Sequence, residues 1–108
     1  MTEGGAESPA VTEAAGAAAT GTPIVLGGMS SYSGVDIFPE SPDAAKAYFD
    51  KINAEGGVNG HPIEFLTEDD GDVPEKTATG AKKLVEEKNV LAMVGGGSIV
   101  DCTTNAKY

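Results

Sequence analysis

Two short segments of the chain carry residue types that could hold a ligand or an ion. Glu68, Asp69 and Asp70 come directly after an apolar segment, and paired acids at the end of a strand are a common way to hold magnesium. Gly95-Gly96-Gly97-Ser98 follows another apolar segment, where glycines let a backbone approach a ligand closely and the serine hydroxyl offers a hydrogen bond. Both segments indicate binding rather than a reaction.

Each segment also has a purely structural explanation. Asp72, a third acid, lies just before Pro74, a residue favoured in the first turn of a helix. Capping and hydrogen bonds to loop amides therefore explain the acids without a metal, and we favour that role for Asp69 and Asp70. In the glycine segment a tight turn and a helix cap at Ser98 remain the alternative to ligand binding.

Other chemistries lack the residues that they need. His61 has no second histidine or cysteine ligand near it, which makes a solvated turn residue its default role. Cys102 has no histidine partner and no clear base, so we interpret it as a small, partly buried helix residue. No Gly-Lys-Ser/Thr sequence follows Gly97, which disfavours nucleotide binding. We expect no catalytic activity, no cofactor and no metal.

The charge of the chain excludes some partners. The 108 residues include 17 acidic and 7 basic ones, which gives a net charge of −10. Phosphates require a positive protein surface, so this balance argues against nucleic acid and against anionic membrane surfaces. No apolar run approaches the roughly 20 residues of a membrane span.

The first 22 residues differ in composition from the rest. They are almost entirely Ala, Gly, Thr, Glu, Ser and Pro, with too little apolar surface to join a core, and we predict a disordered tether over 1–22. The folded part is then expected over 23–108. The amino terminus lacks the pattern of a signal peptide. A leader of this composition is nevertheless typical of exported or lipid-tethered proteins that have lost their targeting segment.

Alternating strands and helices are predicted for the folded part. Short apolar runs of the kind buried in a parallel sheet suggest two of the strands, and a β-rich run suggests the third. Prolines and helical spacing of apolar residues predict the helices. The expected strands are Ile24–Met29, Pro62–Thr67 and Val90–Val94, and the expected helices are 41–55, 74–88 and one opening at Asp101.

Specific residues predict where the helices begin and end. Ser41 should cap the first helix, and Gly56-Gly57 should end it before Asn59-Gly60 reverses the chain. Asn89 should close the second helix, whose apolar stripe is expected to face the sheet. That stripe consists of Thr77, Ala81, Leu84 and Val85.

This order of elements is a βαβαβ unit of α/β class, a three-layer part of a doubly wound parallel sheet. Ligands of such sheets bind outside the carboxyl ends of the strands. The candidate loops are therefore Ser30–Pro39, Asp69–Val73 and Gly95–Asp101. With only three strands and two complete helices, the outer sheet faces would lack cover, and we expect a portion of a larger fold that is marginal alone.

The motifs from Ile24 to Tyr108 resemble the amino-terminal lobe of substrate-binding proteins of ABC transporters, of the branched-chain amino acid type. The shared patterns are GGMSSYSG, IN-x-x-GGVNG, IEFLTEDDGD-x-P and A-x-KLV-x-x-x-V-x-A-x-VGGGS. The chain departs from the family by lacking the remainder of the first lobe, the hinge crossings and the second lobe. It also lacks the glycine that the family commonly places just before the first helix, and has Ile37, Phe38 and Pro39 instead.

The resemblance implies a type I periplasmic binding fold, in which two lobes close around a small ligand. It implies that the α-carboxylate and ammonium of an amino acid or similar molecule lie at Ser98 and Ile99, with Thr103 as a further candidate. Ser33 would contribute from the first loop and Phe38 would contact the ligand side chain, with Tyr32 as its competitor. The implied partner is an ABC permease, and the implied location is periplasmic or extracellular with a lipoprotein-like tether.

Two alternatives remain open at the level of the sequence. A flavodoxin-like or receiver-like signalling domain would use Asp69 and Asp70 to hold magnesium beside a phosphorylated aspartate. It would need acids after the first strand, which ends instead in Gly27-Gly28-Met29-Ser30. The sensor region of a membrane receptor could share the same lobe.

Overall fold

A computed structural model describes residues 19–108 of the chain. Most of the expected tether, residues 1–18, lies outside the described residues. The last part of it contacts the folded part, since the Gly21 amide donates to the Gly60 carbonyl over 2.8 Å. His61 Nδ1 likewise lies 2.8 Å from the Thr22 carbonyl oxygen, so this turn residue holds the chain that enters the sheet.

The elements follow the predicted order, with shifted boundaries. In chain order they are β1 (Ile24–Ser30), α1 (Glu40–Ala54), β2 (Ile63–Asp69), α2 (Pro74–Lys82) continued by a π-helical turn (Lys83–Glu87), β3 (Ala92–Met93) and α3 (Asp101–Asn105).

The three strands form one parallel sheet in the order β2-β1-β3. β1 pairs with β2 along its whole length, from Ile24 opposite Ile63 to Ser30 opposite Asp69. On its other side β1 pairs with β3 only through Leu26 and Gly27. The predicted α/β class and parallel sheet are thereby confirmed, and β1 lies at the centre of the sheet.

The core lies between the sheet and α2. Met29 of β1 is buried against Ala81 and Leu84, and Leu66 and Val90 pack around them. Thr77, Ala81 and Leu84 are buried as the helical stripe predicted, but Val85 is 41% exposed, so its placement in the core was wrong. The π-helical turn begins at Lys83, and the Lys88 amide reaches back to the Lys83 carbonyl over 2.9 Å.

The turn between α1 and β2 forms as the sequence predicted. Gly56 and Gly57 have φ of 109° and 75°, and Asn59 and Gly60 have φ of 51° and 84°. Only glycine adopts such angles without strain, and asparagine tolerates them better than most residues. Asn89, with φ 55°, closes the second helical segment in the same way.

Two expected boundaries differ in the structure. α1 begins at Glu40, preceded by Pro39, and no side chain caps it. Ser41 is therefore inside the helix, and its hydroxyl donates instead to the Gly96 carbonyl over 3.3 Å. β2 continues through Glu68 and Asp69, because pairing with Met29 and Ser30 of β1 extends the ladder to those acids.

The third strand departs most from expectation. It is two residues long, and Leu91 and Met93 are 78% and 41% exposed rather than buried on both faces. Within residues 19–108 no strand pairs with its outer edge. Because β3 is an edge strand with no partner on its outer side within residues 19–108, apolar side chains that were predicted to be buried are exposed.

Candidate ligand-binding site at the strand ends

The loops that follow the three strands meet at one edge of the sheet. The loop after β1 lies between the other two, since the Ser31 amide donates to the Gly97 carbonyl over 2.9 Å and the Asp70 amide donates to the Ser30 carbonyl over 3.1 Å. The Gly97 amide in turn donates to the Met29 carbonyl over 3.1 Å. Backbone hydrogen bonds therefore bring together the three loops expected to hold a ligand.

An open depression of about 520 Å³ lies between the first and third of these loops. Three of the predicted site residues line it, namely Phe38, Ser98 and Ile99. Gly97 also lines it, and a side chain there would lie 3.0 Å from Phe38 Cβ. The absence of a side chain at Gly97 is what allows the phenylalanine to approach the third loop.

The Ser98 hydroxyl binds the first amides of α3, close to the structural alternative, although Val100 and not Ser98 is the N-cap residue. Its hydroxyl oxygen accepts hydrogen bonds from the amides of Asp101 over 3.0 Å and Val100 over 3.3 Å. The hydrogen of that hydroxyl has no acceptor among residues 19–108, and the amides of Ser98 and Ile99 have none either. The Ser98 hydroxyl and the amides of Ser98 and Ile99 are therefore three hydrogen-bond donors without an acceptor among the described residues, and both residues line the depression.

The position of Phe38 is fixed through its backbone. Its amide donates to the Ser31 carbonyl over 2.8 Å, and the residue is 37% exposed. The buried Ser30 hydroxyl lies 2.8 Å from the Phe38 carbonyl oxygen and 2.9 Å from the Gly97 carbonyl oxygen. A hydroxyl has one hydrogen, so Ser30 donates to one of these two carbonyls at a time. Tyr32, the competing aromatic, does not line the depression.

Ser33 and Thr103 lie outside the set of residues that line the depression. The Ser33 hydroxyl donates to Asp69 Oδ2 over 2.6 Å. The Thr103 hydroxyl donates to the Val100 carbonyl of its own helical turn over 3.1 Å. Both side chains thus make local structural hydrogen bonds.

Asp69 accepts hydrogen bonds from the loop after β1 and from its own turn. Its Oδ1 accepts from the amides of Tyr32 and Gly71, each over 2.9 Å, and from the amide of Ser33 over 3.2 Å. The hydrogen bond from the Ser33 hydroxyl is the largest cause that lowers the pKa of Asp69, and the three amides lower it further against the opposing effect of burial.

Asp70 and Asp72 have the same kind of role. Asp70 is fully buried, and its Oδ1 accepts from the Ser31 hydroxyl over 2.7 Å and from the Asp72 amide over 2.9 Å. Asp72 Oδ2 accepts from the Asp36 amide over 2.8 Å, and that bond is the largest cause that lowers the pKa of Asp72. Within the described part of the chain, no group of three or more His, Cys, Asp or Glu residues could hold a metal ion.

Three residues of this edge were missed in the sequence. Glu40 and Ser41 line the depression because α1 begins one residue earlier than its expected cap. Ser30 lies beneath it as the buried link between loops. A serine at the end of a buried strand is a weak signal, and only the pairing of β1 with both neighbours shows that its hydroxyl reaches two loops.

A larger cavity of about 630 Å³ lies away from the strand-end loops. Residues of α2, β3 and the carboxy-terminal segment line it, including Ala81, Met93, Cys102 and Ala106. Cys102 is exposed there, whereas the sequence suggested partial burial. The lining of this cavity is mostly apolar.

The chain is similar in sequence to a known protein family. The sequence profile of the periplasmic binding protein family matches residues 23–108. A comparison with curated proteins found no match. Within residues 19–108 no helix is long and apolar enough to cross a membrane.

Two solved structures resemble the chain. One is described as a putative branched-chain amino acid ABC transporter from Silicibacter pomeroyi, with 25% identity and a TM-score of 0.55, over 66% of this chain and 19% of that one. The other is described as a possible leucine/isoleucine/valine-binding protein from Rhodopirellula baltica SH 1, with 24% identity and a TM-score of 0.60, over 77% of this chain and 23% of that one. The chain spans about a fifth of the length of these structures. With the family profile covering most of its length, the chain belongs to the periplasmic binding protein family.

Proposed function

We propose that the chain supplies one wall of the ligand site of an extracytoplasmic solute-binding protein of an ABC importer, and that the ligand is an amino acid of the branched-chain type or a similar small polar molecule. The observation that carries this proposal is the set of donors at Ser98 and Ile99 beside the Phe38 ring. The similar structure described as a putative branched-chain amino acid ABC transporter supports the same class of ligand.

The chemistry of the depression suits a small zwitterion with an aliphatic side chain. The Ser98 hydroxyl and the amides of Ser98 and Ile99 would donate to the ligand carboxylate. Glu40, which also lines the depression, offers a carboxylate for the ammonium group, and the Phe38 ring offers an apolar surface for the side chain. Ser33 and Thr103 would not contact the ligand, because their hydroxyls are already bonded to protein acceptors and neither residue lines the depression.

The remaining parts of the mechanism follow from the family. A second lobe would close over the ligand by hinge motion, and the closed protein would deliver the ligand to an ABC permease. The proposed activity is binding without a reaction, and the proposed location is periplasmic or extracellular, with a lipoprotein-like tether. Since affinity in such sites comes from burying the ligand between two walls, this chain alone should bind weakly.

The test is an NMR titration of the 108-residue chain with L-leucine, L-isoleucine and L-valine. We expect the amide signals of Ser98 and Ile99 to shift in a saturable way at roughly millimolar ligand. Ser98→Ala should weaken binding, because it removes a donor. Thr103→Ala is the matched control, since it removes a hydroxyl that does not line the depression.

Two results would contradict the proposal. Shifts confined to residues around Cys102 would assign the ligand to the other cavity. Saturable binding of magnesium with shifts at Asp69 and Asp70, without any response to amino acids, would favour the signalling-domain alternative.

A further inference from the structure

Several side-chain hydrogen bonds join the turn after β2 to the loop after β1. Four groups of the Ser31–Phe38 loop donate to Asp69 and Asp72, namely the amides of Tyr32, Ser33 and Asp36 and the hydroxyl of Ser33. These bonds connect residues 36 or 37 positions apart in the chain. Hydrogen bonds to ionised acceptors are stronger than those between neutral groups.

The backbone of the loop is fitted to these acids. Gly34 has φ of 112°, and a side chain there would lie 2.6 Å from Asp72 Oδ2 and 2.7 Å from the Gly71 carbonyl oxygen. Gly71 and Asp72 themselves have positive φ, of 57° and 61°. The two segments therefore touch along their backbones, and the carboxylates fill the space between them.

The same loop ends at the wall of the depression. The Phe38 amide donates to the carbonyl of Ser31, and Ser31 is bonded through its hydroxyl to Asp70. Movement of the Tyr32–Asp36 stretch away from the acids would leave Phe38 held by its bonds to the Ser31 carbonyl and to the shared Ser30 hydroxyl. Both carboxylate oxygens of Asp69 accept from this loop, and Oδ1 also accepts from the Gly71 amide of its own turn.

We propose that Asp69 and Asp72 are positioning residues that hold the Ser31–Phe38 loop against the β2–α2 turn and thereby help to fix Phe38 in the binding depression. The consequence for ligand binding rests on the proposed function, whereas the anchoring of the loop does not. Neither acid contacts the depression, so their effect on a ligand would be indirect.

Asp69→Ala and Asp69→Asn separate positioning from mere charge. Alanine removes four accepted hydrogen bonds. Asparagine keeps a carbonyl oxygen where Oδ1 accepts three amides, and its NH₂ group can donate to the Ser33 hydroxyl oxygen. Asp50→Ala is the matched control, because it removes an acid from an exposed pair with Lys46 on α1.

The experiment is amide hydrogen exchange by NMR on the full chain, followed by titration with L-leucine as the probe. We expect Asp69→Ala to speed exchange at Tyr32, Ser33 and Phe38 by about tenfold or more, and to weaken leucine binding by a similar factor. Asp69→Asn should restore most of both, and Asp50→Ala should change neither. If Asp69→Ala does not fold, Ser33→Ala, which removes one of the four bonds, should speed exchange at the same loop amides several-fold.

Unchanged exchange at Phe38 in Asp69→Ala would overturn the proposal, as would loss of binding in Asp50→Ala to the same extent. If wild-type chain does not bind leucine, the proposed ligand is wrong, and the exchange rates still decide whether the acids anchor the loop.

Discussion

The two sides of β1 differ in the length of their strand pairing, in their side-chain hydrogen bonds and in how far their apolar side chains are buried. Toward β2, seven paired residues continue into a turn whose acids accept amide and hydroxyl hydrogen bonds from the first loop. Toward β3 the pairing involves two residues, and Leu91 and Met93 remain exposed. The comparison teaches that the β2 side is held by a long ladder and by side-chain hydrogen bonds, although Asp70 Oδ2 and Asp72 Oδ1 are buried without a partner among residues 19–108, whereas the β3 side exposes apolar side chains.

A large loss of stability is expected from breaking the side that is packed. Leu84, in the π-helical turn that continues α2, is fully buried against Met29 of β1. Leu84→Ala should lower the free energy of unfolding by about 2–5 kcal/mol, because it removes buried methyl groups and leaves a cavity. Urea denaturation followed by circular dichroism measures the change.

Leu91→Ala is the matched control on the other side. Since Leu91 is 78% exposed, the same chemical change should alter the free energy of unfolding by no more than about 0.5 kcal/mol. Equal losses in the two variants would show that Leu91 is covered in solution and would remove the contrast between the two sides.

A second prediction concerns the fit between the first loop and the β2–α2 turn. Gly34→Ala should cost about 2 to 6 kcal/mol, because strain at positive φ and overlap with Asp72 contribute about 1 to 3 kcal/mol each. Gly60→Ala, at φ 84° with no atom within 4 Å of the added carbon, should cost only about 1 kcal/mol. Thermal unfolding of both variants gives the comparison, and a Gly34→Ala variant as stable as Gly60→Ala would contradict the close packing.

The smallest expected effect is a dependence on pH. The pKa of Asp69 and that of Asp72 are lowered in the folded chain by hydrogen bonds from Ser33 and Asp36. Their contribution to stability is therefore present above the unfolded pKa of about 3.9 and is lost as the pH falls through the folded values. The urea midpoint should decrease below about pH 4.

Asp69→Asn should make that decrease shallower, because the amide does not titrate. Asp50→Asn removes the same charge from an exposed helix position and should change the slope less. If the two variants have the same slope between about pH 3 and pH 4.5, the hydrogen bonds to Asp69 do not favour its ionised form.

Much of the fold could be predicted because local signals agree with tertiary packing. The Gly56-Gly57 and Asn59-Gly60 pairs have the positive φ that their types suggest, and Thr77, Ala81 and Leu84 are buried as their spacing suggests. The third strand forms where it was predicted, but its length and its burial were wrong, because an apolar run indicates that a segment is suited to burial and not whether a neighbouring element covers it.

The candidate site was predictable in position but not in detail. The strand ends indicated the three loops, and Phe38, Ser98 and Ile99 do share one depression. The hydrogen bond from Ser33 to Asp69 joins residues 36 positions apart, so no local sequence pattern predicts it. Whether these residues bind a ligand remains a prediction.

The buried hydroxyl of Ser30 has a consequence for how the site could open. It lies within 2.9 Å of carbonyls from two loops but can serve only one of them at any moment. Rotation about the Cβ–Oγ bond exchanges the partner quickly compared with loop movement. The loops can thus separate slightly while one carbonyl stays bonded, so the first stage of widening costs less than breaking a hydrogen bond outright.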